Sequence, residues 1–151
     1  MKYFFLVLLS VFSLRPVDTQ LVDLKIVVTN INVLEGSIEL GIFNTPKSFL
    51  KKGKEYKLYT QKVSSDTLIF LLTGLKKDDY AISLYHDINS DNKCNLNFLG
   101  IPLEPYGFSR NFKPKFSKPS FNDCKINASQ NKPITIELID KQHYTASNKT
   151  I

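Results

Sequence analysis

The sequence holds no tryptophan, one methionine, two histidines, two cysteines and six glycines in 151 residues. Neither His-x-His nor His-x-x-x-His occurs, which argues against a catalytic zinc site. No glycine-rich run offers a phosphate cradle, and no Gly-x-Ser-x-Gly elbow presents a nucleophilic serine. Apolar residues nowhere recur at helical spacing over a helix-length window, and no apolar run reaches the roughly 20 residues of a membrane-spanning helix. Coiled coils, repeat arrays and multi-pass membrane proteins are thereby set aside.

What is present leans towards sheet: 11 Phe and 7 Tyr in a chain that is 42% hydrophobic and 23% charged, a composition suited to one globular domain. The balance is basic, with 20 Lys and Arg against 14 Asp and Glu. The lysines are scattered, share no helix face and accompany no ribonucleoprotein-type aromatic motif, so they read as a solvated surface rather than a nucleic-acid footprint. Only the cluster Lys47–Lys57 is dense enough to meet an anionic glycan or lipopolysaccharide by charge.

Residues 1–19 read as a signal peptide. Lys2 precedes an apolar stretch of about a dozen residues, and Arg15, Pro16 and Asp18 end it abruptly. Cleavage is expected after Thr19, with Val17 and Thr19 at the recognised small-residue positions; Ser13 is the second option. No Leu-x-x-Cys marks lipid attachment. The expectation is an exported protein, periplasmic or extracellular, with no membrane span in its mature form.

Residues 20–140 then read as one domain. Leu21–Asn32, Ser37–Phe43, Tyr56–Val63, Thr67–Leu72, Tyr80–His86, Lys125–Ala128 and Pro133–Ile139 are the predicted strands, with Ser37–Phe43 as the hairpin partner of the first and Thr73-Gly74-Leu75 leading into a polar turn. Short strands with turn signals between them suggest an all-β fold, a single antiparallel β-sandwich of about seven strands with a long irregular loop. Ile26, Val28, Ile31, Ile38, Leu40, Ile42, Leu68, Phe70, Leu72, Ile82, Leu84, Ile134, Ile136 and Leu138 are its expected core. Residues 141–151 form a polar tail.

The chemically informative stretch begins at His86. Asp87, Asn89 and Asp91 alternate as oxygen ligands do at the start of a calcium loop. The Lys93 carbonyl and Asn95 extend the set, but Phe98 stands where the bidentate glutamate belongs, so Glu104 serves only if the loop folds back. The other reading is an Asn/Asp-rich turn bonded to its own backbone. Cys94 and Cys124 bracket the irregular stretch. In an oxidising compartment they are expected to form a disulfide, the alternative being two separate buried thiols. Tyr106, Phe108, Phe112, Phe116 and Phe121 either pack the long loop onto the sandwich or line a surface for a glycan or peptide.

In this region the sequence resembles the secreted bacterial family filed as domain of unknown function 2141. The resemblance rests on Asp79-Tyr80-Ala81, His86-Asp87-x-Asn89, Asn97-Phe98-Leu99-Gly100-Ile101-Pro102-x-Glu104, Tyr106-Gly107-Phe108-Ser109 and Pro119-Ser120-Phe121. It implies an exported β-sandwich similar to transthyretin-like and carboxypeptidase regulatory domains, transthyretin-like or immunoglobulin-like in class, and no established activity. The chain departs from the family at Asn95, where an aspartate is usual, which weakens an inherited metal claim.

Two functions follow. One is an exported non-enzymatic β-sandwich module with a weak calcium loop and a surface for a ligand or another exported protein. The other is a small exported hydrolase using His86 with Asp87 or Glu104. Ser109 would complete a triad only on paper. The scarcity of histidine and the missing nucleophile motif favour the module.

Overall fold

The computed structural model describes residues 20–115, 117–130 and 132–140. The expected leader 1–19, the tail 141–151 and Phe116 lie outside the described residues. Eight strands run in chain order: β1 (Leu21–Thr29), β2 (Ser37–Phe43), β3 (Lys57–Lys62), β4 (Leu68–Lys76), β5 (Asp79–Asp87), β6 (Tyr106–Phe108), β7 (Lys125–Asn127) and β8 (Ile134–Glu137). One four-residue helix, α1 (Phe121–Cys124), precedes β7. One sheet has the order β4-β1-β8; the other runs β3-β2-β5-β6, with β7 also on β5.

The alternating pattern explains why two sheets form. Leu24, Ile26 and Val28 of β1 and Leu68, Phe70 and Leu72 of β4 present one apolar face. Ile38, Leu40 and Ile42 of β2 and Ile82 and Leu84 of β5 present another, and all join a single buried cluster with Ile136. Each such buried side chain contributes roughly 1.5–3 kcal/mol relative to exposure. Every expected core residue is buried except Ile134, which is half-buried beside the cluster; Leu24, Leu75 and Tyr80 join them.

Three expectations are corrected. Strand β2 is not the hairpin partner of β1: β1 pairs with β4 and β8, while β2 pairs with β3 and β5. The stretch through Glu35 and Gly36 crosses between sheets, because the apolar faces of β1 and β2 must oppose one another rather than lie side by side. The fourth strand does not end at Leu72 but runs to Lys76, and the expected polar turn follows at Lys77 and Asp78. The strand continues through Gly74 (φ 65°) as a bulge, with the Gly74 N–H donating to Asp23 Oδ1 at 3.0 Å.

The sandwich is also not wholly antiparallel, since β8 runs parallel to β1. The chain reaches β8 from the end where β1 begins, with the Ala128 N–H on the Asp78 carbonyl at 3.1 Å, and so must run the same way. After β8 it changes sheets. The Leu138 N–H donates to Thr29 of the first sheet at 3.0 Å, and Ile139 exchanges bonds of 2.7 and 3.2 Å with Tyr106 of the second.

The long irregular region is packed rather than loose. Tyr106, Phe108, Phe121 and Cys124 bury themselves with Phe43, Phe49 and Ala81, and Phe112 packs against them. This second cluster covers the outer face of the β2–β5 sheet. The aromatics therefore anchor the loop, with Phe49 edge-on to both Phe43 and Phe121. Ser120 caps α1 in a reciprocal box with Asp123, a helix missing from the sequence-based expectation because four residues carry no periodic signal.

Candidate functional site

Strand β5 ends by delivering His86 and Asp87 to opposite faces, since consecutive strand residues alternate. His86 points inward with Ile82 and Leu84 and is 1% exposed. Its Nε2 lies 2.7 Å from the Glu35 carbonyl. A carbonyl only accepts, so Nε2 carries the proton. Nδ1 is buried and has no hydrogen-bond partner among the described residues.

Asp87 points outward yet is only 1% exposed. Its Oδ1 accepts the Asp91 N–H at 3.1 Å and its Oδ2 the Asn92 N–H at 2.9 Å. The chain turns tightly here, with Ser90 and Asn92 both at φ 59°. Asn89 Oδ1 also accepts the Asp91 N–H, and Asp91 Oδ1 accepts the Lys93 N–H. Glu104 does fold back. Its Oε1 takes the Ile88 N–H at 3.2 Å and its Oε2 the Asn95 N–H at 3.1 Å. Burial raises the Glu104 pKa, and these two bonds oppose the shift without cancelling it.

Asp87, Asn89, Asp91, Lys93, Asn95 and Glu104 thus belong to one network. Most of its carboxylate oxygens face backbone N–H donors of the same loop. Asp91 differs, because its Oδ2 receives the side-chain amides of both Asn89 (3.4 Å) and Asn95 (3.1 Å) at the exposed rim. The Asn95 bond is the main cause of the lowered Asp91 pKa. Among the described residues, no three His, Cys, Asp or Glu side chains gather as a metal cluster.

The residues of the drawn triad are separated by these arrangements. The Ser109 hydroxyl is buried, accepts the Ile82 N–H at 2.9 Å and donates to the Cys124 carbonyl. Cys94 and Cys124 are free thiols rather than a bridge. Burial pushes Cys94 up to about 11, with Glu104 adding to it, and pushes Cys124 up to about 12. Tyr85, beside this network, is raised by its burial and by Glu39.

Beyond the network, residues 95–103 form a small hairpin. Leu103 N–H donates to the Asn95 carbonyl at 2.8 Å, and Asn97 N–H to the Ile101 carbonyl at 2.9 Å. Asn97 Oδ1 accepts from Leu99 (2.9 Å) and Ile101 (3.0 Å), and Gly100 sits at φ 73°. The tip raises Phe98 and Leu99 into solvent, 94% and 67% exposed. Sequence reasoning passed over this turn, although Asn97 with Gly100 three residues on is a β-turn signature. A cleft beside the hairpin is lined by Val33, Ile88, Asn95, Leu96 and Pro105.

The profile of a family described as uncharacterized protein conserved in bacteria, domain of unknown function 2141, matches residues 26–137. The chain belongs to this family. Its match spans the core from β1 to β8, so the network and the hairpin lie within the family domain, which they join between β5 and β6. No curated protein and no solved structure matches the chain.

Proposed function

We propose that this member of the family is an exported, non-enzymatic binding module whose recognition element is the loop from Ile88 to Pro105. The observation that carries the reading is the use of Asp87 and Glu104. Both carboxylates are nearly buried and hold four backbone N–H groups of that loop. Groups so occupied serve as scaffold, and the side chains they leave outside are the ones available for contact. Export is supported by the apolar leader, and the mass of the mature protein tests it: a product beginning near Gln20 is expected, and retention of residues 1–14 would overturn it.

Hydrogen exchange tests the scaffold. The amides of Ile88, Asp91, Asn92 and Asn95 are expected to be protected in the native protein. Glu104→Gln, which turns a donor towards one of these N–H groups, should release the protection at Ile88 or Asn95 and cost about 1–3 kcal/mol. Rapid exchange of all four in the native protein would overturn the reading.

One observation favours an added cation role. Asn89, Asp91 and Asn95 meet at a single point, Asp91 Oδ2, on an exposed rim. Turning the two amides by half a rotation presents oxygens where N–H groups now stand. Calcium is the hard cation suited to such oxygens, at about 10⁻⁴–10⁻³ M. Five-millimolar calcium would then raise the melting temperature by about 4–9 °C over chelator. Asp91→Asn should abolish that rise, and an unchanged wild-type melting temperature would leave the hydrogen-bonded turn alone.

A further inference from the structure

The hairpin tip has no counterpart in the packing of the rest of the molecule. Phe98 is 94% exposed, Leu99 67% and Leu96 48%. Single exposed leucines are ordinary, but a nearly bare phenylalanine beside a leucine on a fixed turn is not. The turn is held by Asn97 and by the ladder from Asn95 to Leu103, so collapse of Phe98 onto the sandwich would break bonds that are made. The tip is convex. A rigid convex apolar tip suits a soft surface better than a rigid protein face of similar curvature.

Charge selects the surface. Lys93 is exposed in the loop just before the hairpin. Lys52, from the basic stretch between β2 and β3, reaches the Asn92 carbonyl at 2.8 Å and so brings that stretch against the same loop. Lys118 lies close enough to Cys94 to act on its thiol. The acidic groups around this loop are Asp87 and Glu104, both nearly buried, the exposed Asp91, which is bonded to two amides, Asp140, half-buried in the cleft beside the hairpin, and the exposed Glu35 near Ser90. Exposed lysines near the hairpin base with apolar side chains at its tip are the two signals that stable attachment to an anionic membrane surface requires.

We propose that the 95–103 hairpin docks on an anionic phospholipid bilayer, with Phe98 and Leu99 entering the interface and Lys52, Lys93 and Lys118 meeting headgroup phosphates. This rests on the reading of the loop as the recognition element, and it names the partner. It is independent of calcium.

The absence of tryptophan from the chain supplies a clean probe. Phe98→Trp is the sole indole, and its emission is expected to shift to the blue on vesicles containing phosphatidylglycerol, with little shift on phosphatidylcholine alone. In co-sedimentation, Phe98→Ser/Leu99→Ser should weaken binding to the anionic vesicles by at least about tenfold. Lys52→Ala/Lys93→Ala should weaken it less and flatten its salt dependence. All variants are made as the mature protein beginning at Gln20, so the apolar leader adds nothing to vesicle binding and the comparison isolates the tip, and equal melting temperatures confirm that each folds. Equal binding by the wild type and the double serine variant would overturn the proposal. So would binding to a soluble polyanion that survives loss of Phe98 and Leu99 in place of vesicle binding, or a change in oligomeric state caused by the serine pair without vesicle binding. Amide protection measured on the same samples separates the two readings: a protected loop with no vesicle binding refutes the lipid partner alone, whereas an unprotected loop refutes the scaffold beneath it.

Discussion

Gly36 shows how little freedom a single position has where the chain crosses between sheets. It sits at φ 67°, and a Cβ there would lie 2.0 Å from the Asp87 carbonyl oxygen. Gly36→Ala therefore forces backbone apart at the end of β5, beneath both His86 and Asp87. A loss of about 3 kcal/mol or more is expected, read as a fall in the urea midpoint. The cysteines make a second case. Their burial disfavours the thiolate, so at pH 8 Cys94, raised from 9.0 to about 11, should alkylate about a hundredfold more slowly in the native reduced protein than in urea. Comparable rates in the two conditions would remove the buried environment assigned to it. At this scale the sequence was informative about residue type but not about use. The alternation of Asp87, Asn89 and Asp91 announced a tight oxygen-rich turn, and the turn is there. That the oxygens face the loop's own N–H groups depends on how β5 ends and on the return of Glu104 from 17 residues beyond Asp87, which no local pattern encodes.

Strand β5 carries two short neighbours on one edge, β7 against Asp79–Ala81 and β6 against Ser83–Tyr85. Ile82 falls in the gap between them, and the Ser109 hydroxyl takes its N–H. Ser109→Ala leaves that buried donor and the Cys124 carbonyl without their partner, so a destabilisation of about 1–3 kcal/mol is expected in urea unfolding. A loss below about 0.5 kcal/mol would show that the gap is filled otherwise. Strand β7 is pinned by Lys125 on Asp79 Oδ2 at 3.0 Å and by Asn127 on Asp79 Oδ1 at 2.9 Å. The Lys125 bond, with that of Asn127, lowers the Asp79 pKa below 3.8. A folded-state pKa below the unfolded one adds stability above the unfolded value and loses it as the pH falls through the folded value. The wild type should thus melt above Asp79→Asn near neutral pH, and the gap should close as the pH drops below 3.8. A gap independent of pH would assign the effect to packing. Strands with clean alternation, such as β2 and β5, were legible because period two is itself the burial pattern. The bulge at Gly74 was not, since it is set by a partner, Asp23, that lies far away in sequence, and the four residues of α1 are too few to show a period.

For the molecule as a whole, the buried faces were readable while the pairing of strands was not. Periodicity says which side of a strand is apolar. It does not say whether two such sides lie together in one sheet or oppose one another across a core, and β1 and β2 took the second course. The parallel β8 was equally hidden, because an apolar run has no direction until a neighbour supplies one. Yet β8 is what joins the architecture. It is one of three strands in its sheet, it places Ile136 and Leu138 in the main core, and the residue after Leu138 bonds to Tyr106 of the other sheet. These contacts are made only when the whole intervening chain is in place, so the fold depends on pairing its two ends, an arrangement that slows folding. Ile136→Ala, which opens a cavity between the sheets, is expected to cost about 2–5 kcal/mol. A chain ending at Lys132 loses the edge strand and the link between sheets together. It should show no cooperative unfolding transition by circular dichroism, whereas the Ile136→Ala protein should keep one at a lower midpoint. Cooperative unfolding of the shortened chain near the wild-type midpoint would mean that the β4–β1 pair closes the core against the second sheet without β8.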